Sequence, residues 1–417
     1  SALQEGLLFH NVFDGAGPDV YTGQSVFDLD GVVDFGLLRV AAGELIRRHS
    51  SLRSGFRQRR SGEWAQLVLR EVEPAWREVD LRGLPVGEQL VESDRVVDEE
   101  RSARFDLGSP PLVRFVVVRL SGSRSRFVVT SHHIAFDGWS LPVVVRDLFR
   151  LYSAGGDGGA LPPVRGYRDF LVWLAGRDRV EGLRVWGEAL SGLDGPTVVA
   201  PGVSRVAVLP REWEFGLSEV ETSALVGWAR GRGLTLNTVV EGVWGLVLGQ
   251  LTGRLDVVGG VTVSGRPAEL DGVESMVGLF INTVPLRVRV RLGESLVGLF
   301  ERLQGEQAGL LAHQHVGLAD VRAVAGLSGG VDLFDTLCVF QNFPSSGAGW
   351  GELDGVVPVV GVRSRSASHY PLALLVGPGR SLRFQLNYRP DVFTESDAVG
   401  IADRLRRILL EVLRDPD

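Results

Sequence analysis

One stretch of thirteen residues, Phe127-Val-Val-Thr-Ser-His-His-Ile-Ala-Phe-Asp-Gly-Trp139, limits what this chain can fold into more than any other. It opens as a strand, because Phe127, Val128, Val129 and Thr130 are β-formers in a run too short for a helix. The Ser- and Gly-containing segment Ser121 to Ser125 before it reads as a turn. It closes as a helix: Leu141, Val144, Val145, Leu148 and Phe149 recur at helical spacing after Gly138 and Ser140. Three polar side chains, His132, His133 and Asp137, stand between the strand and the helix. Such a junction presents side chains to a cleft.

The residue types suit acid/base chemistry. His is the side chain whose unperturbed pKa lies nearest neutrality, and one imidazole can accept a proton from an attacking nucleophile and pass it on. Asp137 could orient the imidazole, or pair with an Arg elsewhere and brace the loop. The bland reading of any His-His pair is two core histidines with satisfied hydrogen bonds.

At 417 residues the chain is too long for one small core, so two domains of about 150–250 residues are expected. A hydrophobic content of 44% with 23% charged residues describes a globular protein, and a net charge of −7 is no nucleic-acid footprint. All 44 basic residues are Arg, which excludes Schiff-base and P-loop lysine chemistry. The single Cys338 cannot form an internal disulfide and suits a reducing cytosol, so a cytoplasmic location is expected. No apolar stretch reaches the ~18 residues of a membrane helix, and no signal peptide is recognisable.

Taken in order, Gln24 to Leu29 reads as a strand and Val33 to Arg48 as a helix. Leu52 to Arg57 and Trp64 to Leu69 read as a hairpin around Ser61-Gly62, and Val86 to Arg104 as a charged helix. Pro111 to Leu120 is a strand leading towards the His-His strand. Ser153 to Gly166 holds five Gly and two Pro without periodicity, and the lobe boundary is placed there, giving lobes 1–165 and 166–417. Tyr167 to Leu190 is one helix or two. Thr235 reads as the N-cap of a strongly apolar helix. Strands are expected over Val206 to Leu217, Leu255 to Val263, Ile281 to Val290, Asp332 to Phe343, Tyr370 to Val376 and Leu382 to Tyr388. Ser264-Gly-Arg-Pro267 is a turn, Ser295 to Ala312 a helix, and Thr394 with Asp397 opens the last helix. Both halves are therefore α/β.

His132-His133-Ile-Ala-Phe-Asp137-Gly138 resembles the HHxxxDG motif of the condensation domains of nonribosomal peptide synthetases, a motif shared with acetyltransferase-like enzymes more widely. Six further stretches in the expected order narrow the resemblance to condensation domains. They are Gln4-Glu-Gly-Leu-Leu-Phe-His10, Arg48-His-Ser-Ser-Leu-Arg53-Ser-Gly-Phe56, Tyr167-Arg-Asp-Phe-Leu-Val-Trp173, Val277 to Arg287, His313-Gln-His315 and Leu333 to Asn342. His315 departs from the family's usual acidic residue there. Ser1 falls inside the first motif, so the chain looks cut from a longer polypeptide.

The resemblance implies two chloramphenicol acetyltransferase-like α/β lobes forming a V-shaped pseudo-dimer with a central tunnel. It implies amide formation between a donor thioester and an acceptor amine, each on a phosphopantetheine arm. The arms belong to an upstream donor and a downstream acceptor carrier domain, an adenylation domain is the neighbour, and the domain itself binds no cofactor or metal. It puts His133 in the tunnel as base or as positioner of the amine, and makes His132 mostly structural. Asp137 is expected to brace against an Arg, with Arg287 the first candidate and Arg48 or Arg53 next. Gly138 would allow close backbone approach of a ligand. Trp139 and Ser140 would line the mouth, and Ser264 and Asn342 would contact substrate. The opening motif is similar to that of the subgroup taking D-configured donors.

Three rivals share the fold. An epimerization domain would carry a Glu-Gly-His-Gly-Arg-Glu stretch and a heterocyclization domain paired aspartates, and neither is present. A non-catalytic module recruiting a partner enzyme would carry a broken His-His motif, and here the motif is intact. Two decoys are set aside. Gly326-Leu-Ser-Gly-Gly330 fits G-x-S-x-G but lacks the strand-to-helix setting of a nucleophile elbow. His313-x-His315 has no third ligand at a convincing spacing for zinc.

Overall fold

The computed structural model describes residues 1–13, 17–204, 206–326, 332–342 and 357–414. The first part of the chain forms α1 (Ala2–Phe13), β1 (Thr22–Asp30), α2 (Phe35–Arg48), β2 (Ser54–Gln58), β3 (Trp64–Val68), β4 (Ala75–Asp80), α3 (Val86–Ser102), β5 (Val113–Arg119), β6 (Arg124–His132) and α4 (Ser140–Ser153). There follow α5 (Tyr167–Ala175), α6 (Arg179–Ala189), β7 (Arg211–Gly216), α7 (Glu219–Gly231), α8 (Leu236–Thr252), β8 (Asp256–Val263), β9 (Asn282–Arg289), α9 (Leu296–Leu310) and α10 (Leu318–Val324). The chain closes with β10 (Thr336–Phe340), β11 (Val359–Arg365), β12 (Leu372–Gly377), β13 (Arg383–Tyr388) and α11 (Glu395–Arg414). This is a mixed α/β architecture, and no single helix among the described residues is long and apolar enough to cross a membrane.

Two sheets carry the fold. The first runs β11-β1-β6-β5-β4 and the second β7-β13-β12-β10-β8-β9, while β2 and β3 form a separate hairpin. In the first sheet the period-two alternation of β1 and β6 feeds two cores. Phe27, Leu29, Phe127 and Val129 face the α2 and α4 side, with Leu38, Leu45, Val144 and Leu148. Val26 and Val128 face α3 through Val96 and Val97. Phe127-Val-Val reads as an unbroken apolar run because the middle of this strand is buried on both faces.

The second sheet packs against α8, whose Val239, Val240, Val243, Trp244, Val247 and Leu248 are all buried. Thr235 caps this helix by accepting the Thr238 N–H at 3.0 Å, and Gly253 ends it with φ 68°, the left-handed conformation that glycine adopts at little cost. Thr394 and Asp397 close a reciprocal cap at α11. The segment 167–190 proves to be two helices, the second capped by Asp178.

No sequence pattern announces β11. It comes from the C-terminal half yet pairs antiparallel with β1, Gln24 opposite Arg365 and Val26 opposite Arg363. Its Val-Val-Gly-Val run is short, with Val360 exposed, and the Arg-Ser-Arg that ends the strand is open to solvent, so it lacks the alternation that marks a half-buried strand. The Leu327 to Gly330 part of the G-x-S-x-G decoy lies outside the described residues.

Candidate active site

The His-His stretch folds as its local pattern demands and is then held from outside. β6 ends at His132, opposite Thr22 of β1. The His132 N–H donates to the Leu112 carbonyl at 3.0 Å and the His133 N–H to the Tyr21 carbonyl at 2.9 Å. The chain then turns, and the Asp137 N–H donates to the Gly278 carbonyl at 3.0 Å, tying the turn to the loop between β8 and β9. From the first motif, Gln4 Nε2 donates to the Ile134 carbonyl at 3.1 Å.

Asp137 is a brace. Its Oδ1 accepts from the Ser140 N–H at 2.8 Å, and its Oδ2 from the Phe280 and Ile281 N–H groups at 2.9 and 3.2 Å. The Ser140 hydroxyl sits 2.8 Å from Oδ1 and 2.9 Å from the Gly278 carbonyl, with one proton for the two acceptors. None of the three expected arginines is its partner. Arg266 lies 3.6 Å from Oδ1, and both side chains are almost fully buried, at 1% and 0% exposed. Arg287 instead makes a two-point pair with Asp256 at 2.9 and 2.7 Å, Arg48 pairs with Asp147 at 3.0 Å, and Arg53 donates to the Leu69 carbonyl. The reason is distance along a strand. Ile281 is the residue at the carboxylate, and six extended residues carry Arg287 roughly 20 Å from it.

Arg266 reaches Asp137 because of its neighbour. Gly265 has φ 60°, and a Cβ there would sit 1.9 Å from the Phe280 carbonyl oxygen, so glycine lets the loop close onto residue 280. The guanidinium lies 4.0 Å over the Phe280 ring, donates to the Val273 carbonyl, and approaches the Ser140 hydroxyl at 2.9 Å. Gly278 is equally constrained, since a Cβ there would meet the Tyr167 ring at 2.1 Å. Tyr167 belongs to the fourth motif, so three motifs meet in one buried knot.

The two histidines have separate fates. His132 is fully buried. Its Nδ1 accepts the Ile134 N–H at 3.0 Å, which leaves Nε2 protonated and facing Asp19 Oδ2 at 3.3 Å. Burial alone would raise the Asp19 carboxyl, but the contact with His132, the Tyr21 N–H and the Arg104 charge together outweigh it, and the pKa falls below the usual carboxylate value. His133, the first residue past the strand, keeps part of its surface open while protein packs closely around the ring. That dense packing, reinforced by His132, holds its pKa down to about 4, so the imidazole is neutral near pH 7. Its Nε2 lies 3.2 Å from the Ser366 hydroxyl.

Other expected site residues fall into two groups. Gly138 and Trp139 are half-buried beside the His-His turn. Ser140, expected at the mouth, is instead wholly buried in the Asp137 knot, because its hydroxyl reaches Asp137, Gly278 and Arg266 together. Ser264 and Asn342 are exposed, just past β8 and β10. These strands run parallel, so both residues stand at one edge of the second sheet. Asn282, where β9 starts at that edge, donates to the Gln314 and Val316 carbonyls at 2.8 and 2.7 Å and fixes the His313-Gln-His315 turn. Among the described residues no three His, Cys, Asp or Glu side chains come together as metal ligands.

Sequence reasoning misses Asp19, Arg266, Ser366, Tyr21 and His369. Arg266 has one signal, the Ser-Gly-Arg-Pro turn that contains it. The others have none, since each meets its neighbour through a contact between segments far apart in the chain.

Comparison with known proteins places this arrangement. The Condensation domain family model matches residues 1–417. The chain is 33% identical to a linear gramicidin synthase of Brevibacillus parabrevis over 422 residues, covering 99% of this chain and 8% of that protein. It is 32% identical to surfactin synthase subunit 3 of Bacillus subtilis (strain 168), covering 100% of this chain and 33% of that protein. Among solved structures it resembles the first condensation domain of the CDA synthetase, with a TM-score of 0.79, 23% identity and coverage of 99% and 95%. It also resembles the starter condensation domain of rhizomide synthetase in complex with C8-CoA, with a TM-score of 0.82, 18% identity and coverage of 100% and 94%. The chain thus spans a small part of the curated relatives it matches. With a family model matching its whole length and a third of its residues shared with these synthetases, the chain belongs to the condensation-domain family, the amide-forming acyltransferases of nonribosomal peptide synthesis.

Proposed function

We propose that this domain joins a donor peptidyl or aminoacyl thioester to the amine of an acceptor aminoacyl thioester, with His133 at the reaction centre. The amine nitrogen attacks the thioester carbonyl, a C–N bond forms, the C–S bond breaks, and the amine proton ends on the released thiol. Both substrates ride on phosphopantetheine arms of carrier domains, one upstream and one downstream, beside an adenylation domain in a cytoplasmic assembly. The domain contributes shape and hydrogen bonds and carries no cofactor of its own. The lobe boundary is placed between residues 165 and 166. The second core, drawn from residues 186–412, supports that division, while Ala207, Val277 and Leu279 pack into the first core and β11 joins the first sheet.

The observation that carries the reading is the neutral, partly open imidazole of His133 beside a fully committed Asp137. A group with a pKa near 4 is a poor base towards an ammonium ion but a good acceptor for one N–H of a neutral amine. This supports positioning of the amine over proton abstraction. Gly138 and Trp139 would flank the approach, and Ser264 and Asn342 would meet the arms at the sheet edge. Single-turnover peptide formation between loaded carriers tests the reading. Wild-type product and its loss in His133→Ala are expected, and wild-type turnover by the variant would overturn the assignment. Tight binding of loaded carriers with no turnover by the native domain would favour the recruitment-module reading.

A further inference from the structure

Between β11 and β12 the chain crosses from one sheet to the other through residues 366–370, and it crosses at His133. Ser366 places its hydroxyl 3.2 Å from His133 Nε2. Three residues on, the Tyr21 hydroxyl and His369 Nδ1 share a hydrogen bond of 2.6 Å. The His10 ring, from the first motif, stacks on His369 with centroids 4.5 Å apart and planes at 30°. Tyr370 then enters the second core, its ring 6.0 Å from Phe334. Tyr21 also acts through its backbone, because its carbonyl receives the His133 N–H at 2.9 Å. One residue therefore holds both sides of the His133–Ser366 contact, the histidine by its main chain and the crossing by its side chain.

We propose that the Tyr21–His369 hydrogen bond, with His10 stacked on the imidazole, is a positioning device that fixes the 366–370 crossing and keeps the Ser366 hydroxyl on Nε2 of His133. The crossing belongs to neither sheet, so its register depends on side-chain anchors. A Ser366 carbonyl contact from Asn387 at 3.5 Å is long for a hydrogen bond, which leaves the Tyr21–His369 bond as the short one. Burial holds the pKa of His369 down to about 3, with His10 adding to the effect, so the ring stays neutral and the bond persists across working pH. Nε2 has a single lone pair, so an arriving amine N–H displaces the Ser366 hydroxyl proton from it, and the serine oxygen held beside it accepts the amine's second N–H. A misplacement of about 1 Å at a reacting centre costs about a hundredfold in rate, and a loosened crossing would cost part of that. The proposal rests on the reading that His133 receives the amine.

The test uses the full domain with loaded carriers. Tyr21→Phe keeps the ring and the backbone carbonyl and removes only the hydroxyl. It is expected to lower kcat about tenfold while KM for both loaded carriers stays within about twofold. Ser366→Ala is expected to lower kcat comparably, and the double variant to be no slower than the slower single one, since both act through one contact. His369→Asn, which retains an acceptor in the same region, should recover part of the rate lost in His369→Ala, and this pair decides the matter if Tyr21→Phe does not fold. Wild-type kcat in Tyr21→Phe, or losses that multiply in the double variant, overturns the proposal. Full turnover by His133→Ala would instead sink the underlying reading of His133, so the two failures are distinguishable.

Discussion

His132 turns into the fold and His133 towards the open side, although they are adjacent in the chain. At the last strand position the His132 side chain is fully buried, its Nδ1 accepting the Ile134 N–H and its Nε2 facing Asp19 Oδ2 at 3.3 Å. His133 lies one step beyond the ladder, its backbone held by Tyr21 and its Nε2 facing a serine hydroxyl. The same side chain is buried at one position and partly open at the next, because His132 is the last residue held in the ladder and His133 the first of the turn. Asp137 completes the contrast. It is the most polar group in the stretch, and it meets two backbone N–H donors at Oδ2 alone. Hydrogen bonds of this kind fix the geometry of the carboxylate.

Breaking the committed member should cost most. Asp137→Asn turns an NH₂ group towards N–H donors or removes the charge facing Arg266, inside a fully buried knot. Loss of one partner from a buried pair costs about 3–5 kcal/mol. Low soluble yield and a fallen Tm are expected, and a well-folded, inactive variant would point to a chemical role for the carboxylate.

The next effect is kinetic. His133→Ala should lower peptide formation at least about a hundredfold while thermal stability near pH 7 barely changes. His132→Ala should do the reverse, because it leaves Asp19 buried without its partner, a penalty of about 1–3 kcal/mol. If thermal melts and turnover rank the two variants alike, the contrast between the histidines fails.

A smaller effect appears in pH. The folded pKa of His133 lies near 4, below the unfolded value of about 6.5. Between those values the unfolded chain binds a proton that the folded domain refuses, so stability falls as pH drops through that window. His133→Ala should remove about 2–3 kcal/mol of this acid sensitivity, read as a shallower decline of Tm from pH 6.5 to 4. Asp19 acts in the same direction but at lower pH. Its folded pKa is depressed, so its contribution is present above the unfolded carboxyl value and is lost as pH falls through the folded one. The two groups can thus be separated in one titration by the window each occupies.

The finest distinction concerns the donor. The first motif reaches the surroundings of His133 through Gln4 on Ile134 and His10 on His369. A D-configured donor on the upstream carrier should give faster single-turnover product than its L counterpart. Equal or faster product from the L-donor would overturn that assignment and leave amide formation standing.

Much of the site was legible in the residues. The β6–turn–α4 unit, the buried apolar run of β6, the Thr235 cap and the apolar face of α8 follow from interactions a few residues apart, where spacing alone fixes the geometry. A buried Arg facing Asp137 was expected from the residues, and Arg266 lies 3.6 Å from Oδ1. Which arginine it would be was not legible, nor were the N–H donors of Phe280 and Ile281. Any of 44 arginines could in principle have closed that pair, and the choice fell to Arg266 only because Gly265 lets its loop approach residue 280. Ser366 on His133, His369 on Tyr21 and β11 on β1 are likewise contacts between segments hundreds of residues apart. Periodicity determines which face of an element is buried. Which distant element arrives at that face is decided when the two sheets assemble, and the surroundings of His133 depend on that step.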